Sequence, residues 1–418
     1  MDDNCYGTEW RAKAERSTFA VHAHKAGYLT SYAGKYLNQY SRPTVPPGWS
    51  TWYGLEGNSR YYNYSLVVQE VVDGTGPARI EQHEDNYETD YLPNVLTNFT
   101  VNTIHQFAQM DKPFLIVQGW PSPHAPFTPA PTDAHAFGDK LAPRTPNFNA
   151  SWSHMWNKHW MMRQLTPLND MDEAQIDQIY QQRLETLLTV DRNIGAMLQA
   201  LDEEGVRDNT YIIFMSDNGF QLGQHRLLAD KRQLYEHDIR IPMVVAGPGV
   251  PQGKVSQKVV MNIDIAPTIT ELTTIANDAK RTENLLRNMD GQSMVPILQD
   301  TVKGGGGTFH REQFLVSYHG VPFDIFTTRD AVNNTYHCVR TIVMDSEETD
   351  YEKNDIYCRF EDDEHFVEYY DLIGDEWQLS NSVDSLTNGQ ISNFELKLAL
   401  YRACHGENCR HGSLRQGS

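Results

Sequence analysis

Apolar positions recur along the chain with two periods, and the switches between them predict most of its elements. Thr18 to Ala26 reads as a short helix stopped by Gly27, and Tyr28 to Tyr32 as a strand leading into Ala33-Gly34-Lys35. Residues 44 to 90, rich in Pro, Gly, Asn and Tyr, read as a long surface excursion. Leu92, Val95, Phe99, Ile104 and Phe107 recur at helical spacing, and the strand-like run Phe114-Leu115-Ile116-Val117 follows. It empties into Pro121-Ser122-Pro123-His124-Ala125-Pro126, where repeated prolines are expected to hold the chain extended. The clearest helix runs from Asp172 to Glu204, with Asp170 and Glu173 as a candidate capping box and Ile176, Ile179, Leu184, Leu187, Leu188, Ile194, Met197, Leu198 and Leu201 as its apolar stripe.

Tyr211-Ile212-Ile213-Phe214-Met215 is a continuous apolar run, as in a parallel strand covered on both faces, and Ile241 to Ala246 is another. Strands alternating with helices over the first part of the chain predict an α/β sandwich. After Gly304-Gly305-Gly306-Gly307, a hinge by composition, short alternating strands and a helix near Ser392 to Cys404 predict a smaller α+β unit. The expected domains are therefore 1–307 and 308–418.

Composition narrows the function. The 418 residues carry 35 basic and 55 acidic side chains, a formal charge of −20, with no Lys/Arg stripe to offset it, which argues against nucleic acid as a partner. The longest apolar runs fall far short of the roughly 20 residues of a membrane span. Cys404 and Cys409, and Cys338 and Cys358, are spaced for local disulfides, leaving Cys5 unmatched. Sequons at Asn63, Asn98, Asn149 and Asn333 add to the indication of a secretory history, although Met1-Asp2-Asp3-Asn4 does not open a signal peptide.

Candidate chemistry starts at Ser216-Asp217-Asn218-Gly219, which follows the best strand, where ligands of open α/β sheets bind. A carboxylate beside an amide oxygen suits Ca²⁺ or Mg²⁺, but the same four residues would also make an ordinary turn. Lys231, in Asp230-Lys231-Arg232-Gln233-Leu234-Tyr235-Glu236, could hold a tetrahedral anion or simply be a solvated charge. His124 in its Pro-rich loop could be a general acid. His225, Lys158, His159 and Lys35 are open to the same two readings. There is no Cys/His zinc spacing, no Gly-x-Ser-x-Gly elbow and no Gly-rich phosphate loop.

Taken in order, Gly27-Tyr28 to Asn38, Pro123-His124-Ala125-Pro126, Ser216 to Gly219 and Asp230 to Glu236 resemble the type I sulfatases. Pro47-Gly48-Trp49, Tyr61 to Tyr64, Asn157-Lys158-His159-Trp160, Asn262-Ile263-Asp264 and the Cys404-to-Cys409 tail are similar to the subgroup acting on 6-sulfated N-acetylglucosamine. The resemblance implies an alkaline-phosphatase-like α/β/α sandwich with a smaller C-terminal domain. It also implies sulfate-ester hydrolysis with one Ca²⁺ and a formylglycine made from cysteine. It assigns Asp217 and Asn218 to half of the calcium site, Lys231 to the sulfate, His124 to the leaving alcohol and Lys35 to the formylglycine, with Lys158, His159 and His225 toward the substrate.

The family's paired aspartates and Cys-x-Pro-Ser-Arg have no counterpart here, which reads as a truncated chain, inactive alone, without its nucleophile, half its metal cage and its signal peptide. The implied partner is a sulfated glycosaminoglycan or sulfated N-acetylglucosamine, in a lysosomal or secreted setting, and a homodimer is compatible with the reading. A non-catalytic glycan binder and a phosphodiesterase of the same superfamily are the rival readings. Protonation of many of the 16 histidines at acidic pH would ease repulsion from a polyanion and implies a low pH optimum.

Overall fold

The computed structural model describes residues 7–41, 44–70, 76–229, 231–299, 309–320, 332–345 and 350–410. The expected boundary at 307/308, the Gly304–Gly307 hinge, Cys5 and Asp230 lie outside these residues. Compactness divides the chain differently from that boundary. One unit comprises Met1–Lys140, Gln178–Tyr211 and Ile269–Glu283, the other Leu141–Asp177, Ile212–Thr268 and Asn284–Ser418.

The first unit is built on strands β1 (Leu29–Gly34), β2 (Thr51–Leu55), β3 (Tyr64–Gln69), β4 (Arg79–His83) and β5 (Phe114–Gly119), in the order β4-β3-β2-β1-β5. β1 lies parallel to both β2 and β5, while β2, β3 and β4 form an antiparallel meander. Alternation along the strands gives the sheet two apolar faces. Ala33, Tyr53, Leu55, Leu66 and Val68 meet Leu92 and Leu96 of the helix Leu92–Ala108. Tyr32, Trp52 and Val67 meet Trp49 and Ala20, the latter on the helix Phe19–Lys25, whose first turn is capped by Thr18. Helices on both faces make the α/β/α layering.

Residues 44–90 are therefore not a surface excursion, since they supply three of the five strands. The turn-forming residues sit in the connections, and the strands between them are only five or six residues long. Trp52, Leu55, Leu66, Val67 and Val68 are fully buried. Aromatic and β-branched residues suit a pleated surface, and their concentration in such short runs was masked by the composition around them.

The long helix spans Asp170–Glu203, and its cap is Asn169 rather than Asp170. Asn169 Oδ1 accepts from the N–H groups of Met171 (2.8 Å) and Asp172 (3.2 Å), while Asp172 accepts from the Asn169 N–H (2.9 Å).

In the second unit β6 (Ile212–Met215) pairs antiparallel with β7 (Met243–Ala246), so the expected parallel strand is instead half of a two-stranded ribbon. Phe214 and Val244, directly opposite each other, are 41% and 62% exposed. An unbroken apolar run carries no information about its partner, which is why the sequence could not separate these two cases.

Strands β8 (Gln313–Tyr318), β9 (Tyr336–Met344), β10 (Tyr351–Phe360) and β11 (Val367–Asp371) form an antiparallel sheet in the order β11-β10-β9-β8, the smaller C-terminal sheet that was expected. The helix Asn388–Ala403, opened by a Thr387/Gln390 capping box, packs Phe394, Leu398 and Tyr401 onto Val339 and Tyr357. The opposite face sets Cys338, Ile356, Cys358, Phe360 and Tyr370 against Met155, Met162, Leu234 and Tyr235. Cys338–Cys358 bridges directly opposed residues of β9 and β10, and Cys404–Cys409 closes the turn after the last helix, as the spacings suggested. No helix among the described residues is long and apolar enough to cross a membrane.

Replacing Leu66 by alanine tests this sheet. The expected cost is about 2–5 kcal/mol in chemical denaturation, whereas Ile80→Ala, at a position 46% exposed on β4, is expected to cost less than about 1 kcal/mol. Equal, small effects would return residues 44–90 to the status of a surface loop.

Candidate active site

Two of the candidate residues leave the carboxyl ends of adjacent parallel strands of the first unit. Gly34 and Gly119 are register partners at the ends of β1 and β5. Gly34 has φ +121°, and a Cβ there would stand 1.9 Å from the Gly119 carbonyl oxygen, so only glycine allows the approach. The Lys35 N–H then donates to that carbonyl (3.1 Å), and Lys35 Nζ donates to Asn58 Oδ1 (2.7 Å).

Beyond β5 the Pro-rich loop is not extended. It closes into two turns, with the His124 N–H on the Pro121 carbonyl (2.8 Å) and the Phe127 N–H on the His124 carbonyl (3.2 Å). Each proline still fixes its own φ, but the residues between them are free to turn. His124 Nδ1 lies 2.9 Å from the Ala125 carbonyl, which can only accept, so Nδ1 carries a proton. Three side chains that sequence reasoning gave no role hold this loop. Tyr61 donates to the His124 carbonyl (3.0 Å), Tyr91 to the Thr128 carbonyl (3.0 Å) and Arg183 to the Pro123 carbonyl (2.8 Å). Tyr61 and Tyr91 are buried and stacked, a rigid prop for a loop without regular structure.

In the second unit, Asp217 and Asn218 turn sharply at the end of β6. Ser216 Oγ donates to the Asn218 carbonyl (2.8 Å), and the Asn218 N–H donates to Asp217 Oδ1 (2.9 Å). Asn218 Nδ2 donates to the Gly219 carbonyl (2.8 Å), which turns Oδ1 to the other side of the amide, the orientation a cation ligand requires. The Gly219 N–H reaches the Asp238 carbonyl (2.8 Å), on the short helix Glu236–Ile239. The Asp238 carboxylate in turn accepts the N–H groups of Arg232 (3.1 Å) and Gln233 (2.6 Å). One residue thus gathers the Asp217-Asn218 turn and the segment that begins at Lys231. The only hint of Asp238 in the sequence was an acidic residue just ahead of an apolar run.

Lys158, His159 and His225 are placed differently from the substrate-facing expectation. Lys158 is 0% exposed and donates to the Tyr370 hydroxyl and the Gln378 carbonyl (both 2.7 Å), between the rings of Tyr235 and Tyr370. Burial pushes its ammonium down to about 8. His159 is buried, stacked on Phe360, with Nε2 2.9 Å from Asp362. His225 is buried against Tyr235 and bonded to Asn147 Nδ2 (3.3 Å). Glu368 closes the network, accepting from the His159 N–H (2.7 Å), the Tyr370 hydroxyl (2.6 Å) and the Tyr235 hydroxyl (3.2 Å). A side chain so enclosed supports the wall of a site rather than its contents. Polar type alone could not separate the two roles, because a buried charge needs the same partners that a ligand would supply.

Among the described residues, His159, Asp362 and Glu364 have ligand atoms close enough to share a metal ion. Trp160 Nε1 already donates to Asp362 (2.8 Å) and Arg163 pairs with Glu364 (2.6 Å), so this cluster is balanced from within. Of the sequons, Asn63, Asn98 and Asn333 are exposed. Asn149 is instead a cross-link, its Nδ2 donating to the Leu168 carbonyl (3.1 Å) and Glu173 (3.3 Å), its Oδ1 accepting from the Leu168 N–H (2.9 Å).

The mixed sheet with helices on both faces and a separate antiparallel C-terminal sheet is the architecture of the alkaline-phosphatase-like hydrolases. Residues 2–275 match the sulfatase family and residues 223–403 the C-terminal region of N-sulphoglucosamine sulphohydrolase. The chain belongs to the sulfatase family, whose members work with a metal ion and a formylglycine. It is 37% identical to the N-acetylglucosamine-6-sulfatase of Bos taurus over 98% of its own length and 72% of that protein. A solved complex of a protein with its substrate D-glucosamine-2-N,6-O-disulfate shares the fold at a TM-score of 0.66 and 21% identity, over 91% of this chain and 80% of that one. A phosphonate monoester hydrolase from Silicibacter pomeroyi does so at 0.64 and 19% identity, over 93% and 80%.

Burial is the leading cause that lowers the pKa of His22, His159, His225, His237 and His337 below the ordinary histidine value, His225 most of all. These five resist the protonation expected of the histidines in acid. The unfolded chain takes up protons near pH 6.5 that these folded rings refuse, so their contribution is present above that value and lost as pH falls below it. The urea midpoint is therefore expected to fall between pH 7 and pH 5, and an unchanged or higher midpoint at pH 5 would count against their burial.

Proposed function

We propose that this sulfatase acts on the 6-sulfate ester of N-acetylglucosamine units in glycosaminoglycans. The observation that carries the reading is the gathering of an oxygen-donor turn, Asp217-Asn218, and the Lys231 segment on one residue, Asp238. The likeness to N-acetylglucosamine-6-sulfatase over nearly the whole chain supports the choice of sugar. Two disulfides and three exposed sequons support a lysosomal or secreted setting.

Asp217 and Asn218 fit a hard cation such as calcium, because both offer oxygen and the amide nitrogen of Asn218 is already engaged. When bound, that cation supplies positive charge to the sulfuryl oxygens, where charge builds up as the ester bond breaks. Lys231 adds a compact ammonium for the same oxygens. Lys35, just past β1, is the candidate cation of the first unit. His124, with Nδ1–H on the Ala125 carbonyl, is the candidate proton donor to a departing sugar oxygen. The Tyr61 and Arg183 bonds keep the ring's backbone in place for that transfer.

Calorimetry with 6-sulfated and unsulfated N-acetylglucosamine, with calcium present, tests the binding part of this reading. The sulfated sugar is expected to bind more tightly, and Lys231→Ala to weaken it by roughly 10- to 150-fold without altering the unsulfated sugar. Asp217→Ala is expected to remove the calcium dependence. Equal affinity for both sugars, or an unaffected Lys231 variant, would overturn the assignment.

A further inference from the structure

The segment carrying Lys231 is held in a backbone conformation it would not adopt unaided. Arg232, the next residue, has φ 130°, a region that residues with a Cβ avoid and that persists only where the surroundings impose it. Both sides of Arg232 are held. Its N–H donates to Asp238 Oδ2 (3.1 Å), and its carbonyl accepts from Asn334 Nδ2 (3.0 Å). The Gln233 N–H donates to the same Asp238 oxygen (2.6 Å). Asp238 is only 6% exposed, so water competes little for these bonds.

The main chain of the same short helix carries the other loop. The Asp238 carbonyl accepts the Gly219 N–H and the His237 carbonyl accepts the Phe220 N–H (both 2.8 Å). A Cβ on Gly219 would lie 1.9 Å from the His237 oxygen, so the two backbones meet as closely as glycine permits.

We propose that Asp238 is a positioning residue whose carboxylate sets the course of Lys231 while its main chain anchors the Asp217-Asn218 turn. The inference rests on the sulfate-binding role of Lys231 and deepens it. The division of labour is its distinguishing feature: the side chain serves the lysine, and the backbone serves the cation-binding turn. Removing the side chain should therefore loosen one and spare the other. Asparagine keeps an oxygen that can accept both N–H bonds, whereas alanine keeps none.

The test compares the intact chain with Asp238→Asn, Asp238→Ala, Lys231→Ala and the Asp238→Ala/Lys231→Ala double variant. Binding of 6-sulfated N-acetylglucosamine and of calcium is measured separately by calorimetry. Asp238→Ala is expected to weaken the sulfated sugar by on the order of 10- to 100-fold, the scale of a misplaced binding group. Asp238→Asn is expected to stay within about threefold of the parent. Calcium affinity should hold in every variant, and Asp238→Ala should add nothing where Lys231 is already gone.

Loss of calcium affinity in Asp238→Ala, an additive double variant, or a silent Asp238→Ala beside an effective Lys231→Ala would each overturn the proposal. A silent Lys231→Ala would overturn the sulfate reading and this inference with it. If Asp238→Ala does not fold, Arg232→Gly/Asp238→Ala, in which glycine takes the φ unaided, is compared with Arg232→Gly under the same criteria.

Discussion

In each unit a glycine at the end of a strand, or just beyond one, lets a second backbone pass where a Cβ would stand, and the candidate residues flank that contact. Gly34 admits the Gly119 carbonyl and Lys35 follows it. Gly219 admits the His237 carbonyl and Asn218 precedes it. The consequence is geometric. Side chains next to such a contact inherit the position of a main chain held from two sides, and are placed far more narrowly than a loop residue normally is. Most of what can be said about the chemistry depends on these two approaches, because they turn flexible loop positions into fixed ones.

Beneath the Lys231 segment the second unit invests heavily in buried polarity. Lys158, His159, Glu368, Tyr370 and Tyr235 form a bonded group with little access to water, continued by Asp362 and Trp160. Replacing such a group by apolar residues can leave a fold equally stable, whereas removing one member strands the others. Its specificity lies in Tyr235, which belongs to the same stretch as Lys231 and Asp238. The network seats that stretch on the C-terminal sheet from one side, while Asp238 ties its other end to the turn after β6. Leu234 and Tyr235, buried in the core shared with Cys338 and Cys358, add the apolar part of the same seat.

What was legible in the sequence follows from how local each signal is. The helix ended by Gly27, the helix from Leu92, the strand at Phe114 and both disulfides depend on neighbours within a few residues or on a simple cysteine count, and they were read correctly. The strands of residues 44–90 were missed because turn-rich connections dominate their composition, and β6 was read as doubly covered because its partner does not show in its own residues. Lys158, His159 and His225 were assigned to the substrate by pattern. Only long-range partners such as Glu368, Asp362 and Asn147 reveal that they are enclosed. Asn149 is the same case in miniature, a sequon by its tripeptide and a cross-link by its contacts with Leu168 and Glu173.

The amino-acid order by itself determined the family, the alternation of helix and strand, and which residue types could meet a sulfate ester, since these depend on ordered motifs and on side-chain chemistry. Tertiary structure alone decided which of those side chains are presented and which are walled in, and it singled out Asp238, a residue with no chemical signature of its own. The physical reason is that a carboxylate bonded to two main-chain N–H groups looks, in one dimension, like any other acidic residue. Its meaning lies entirely in where a segment several residues away returns to meet it.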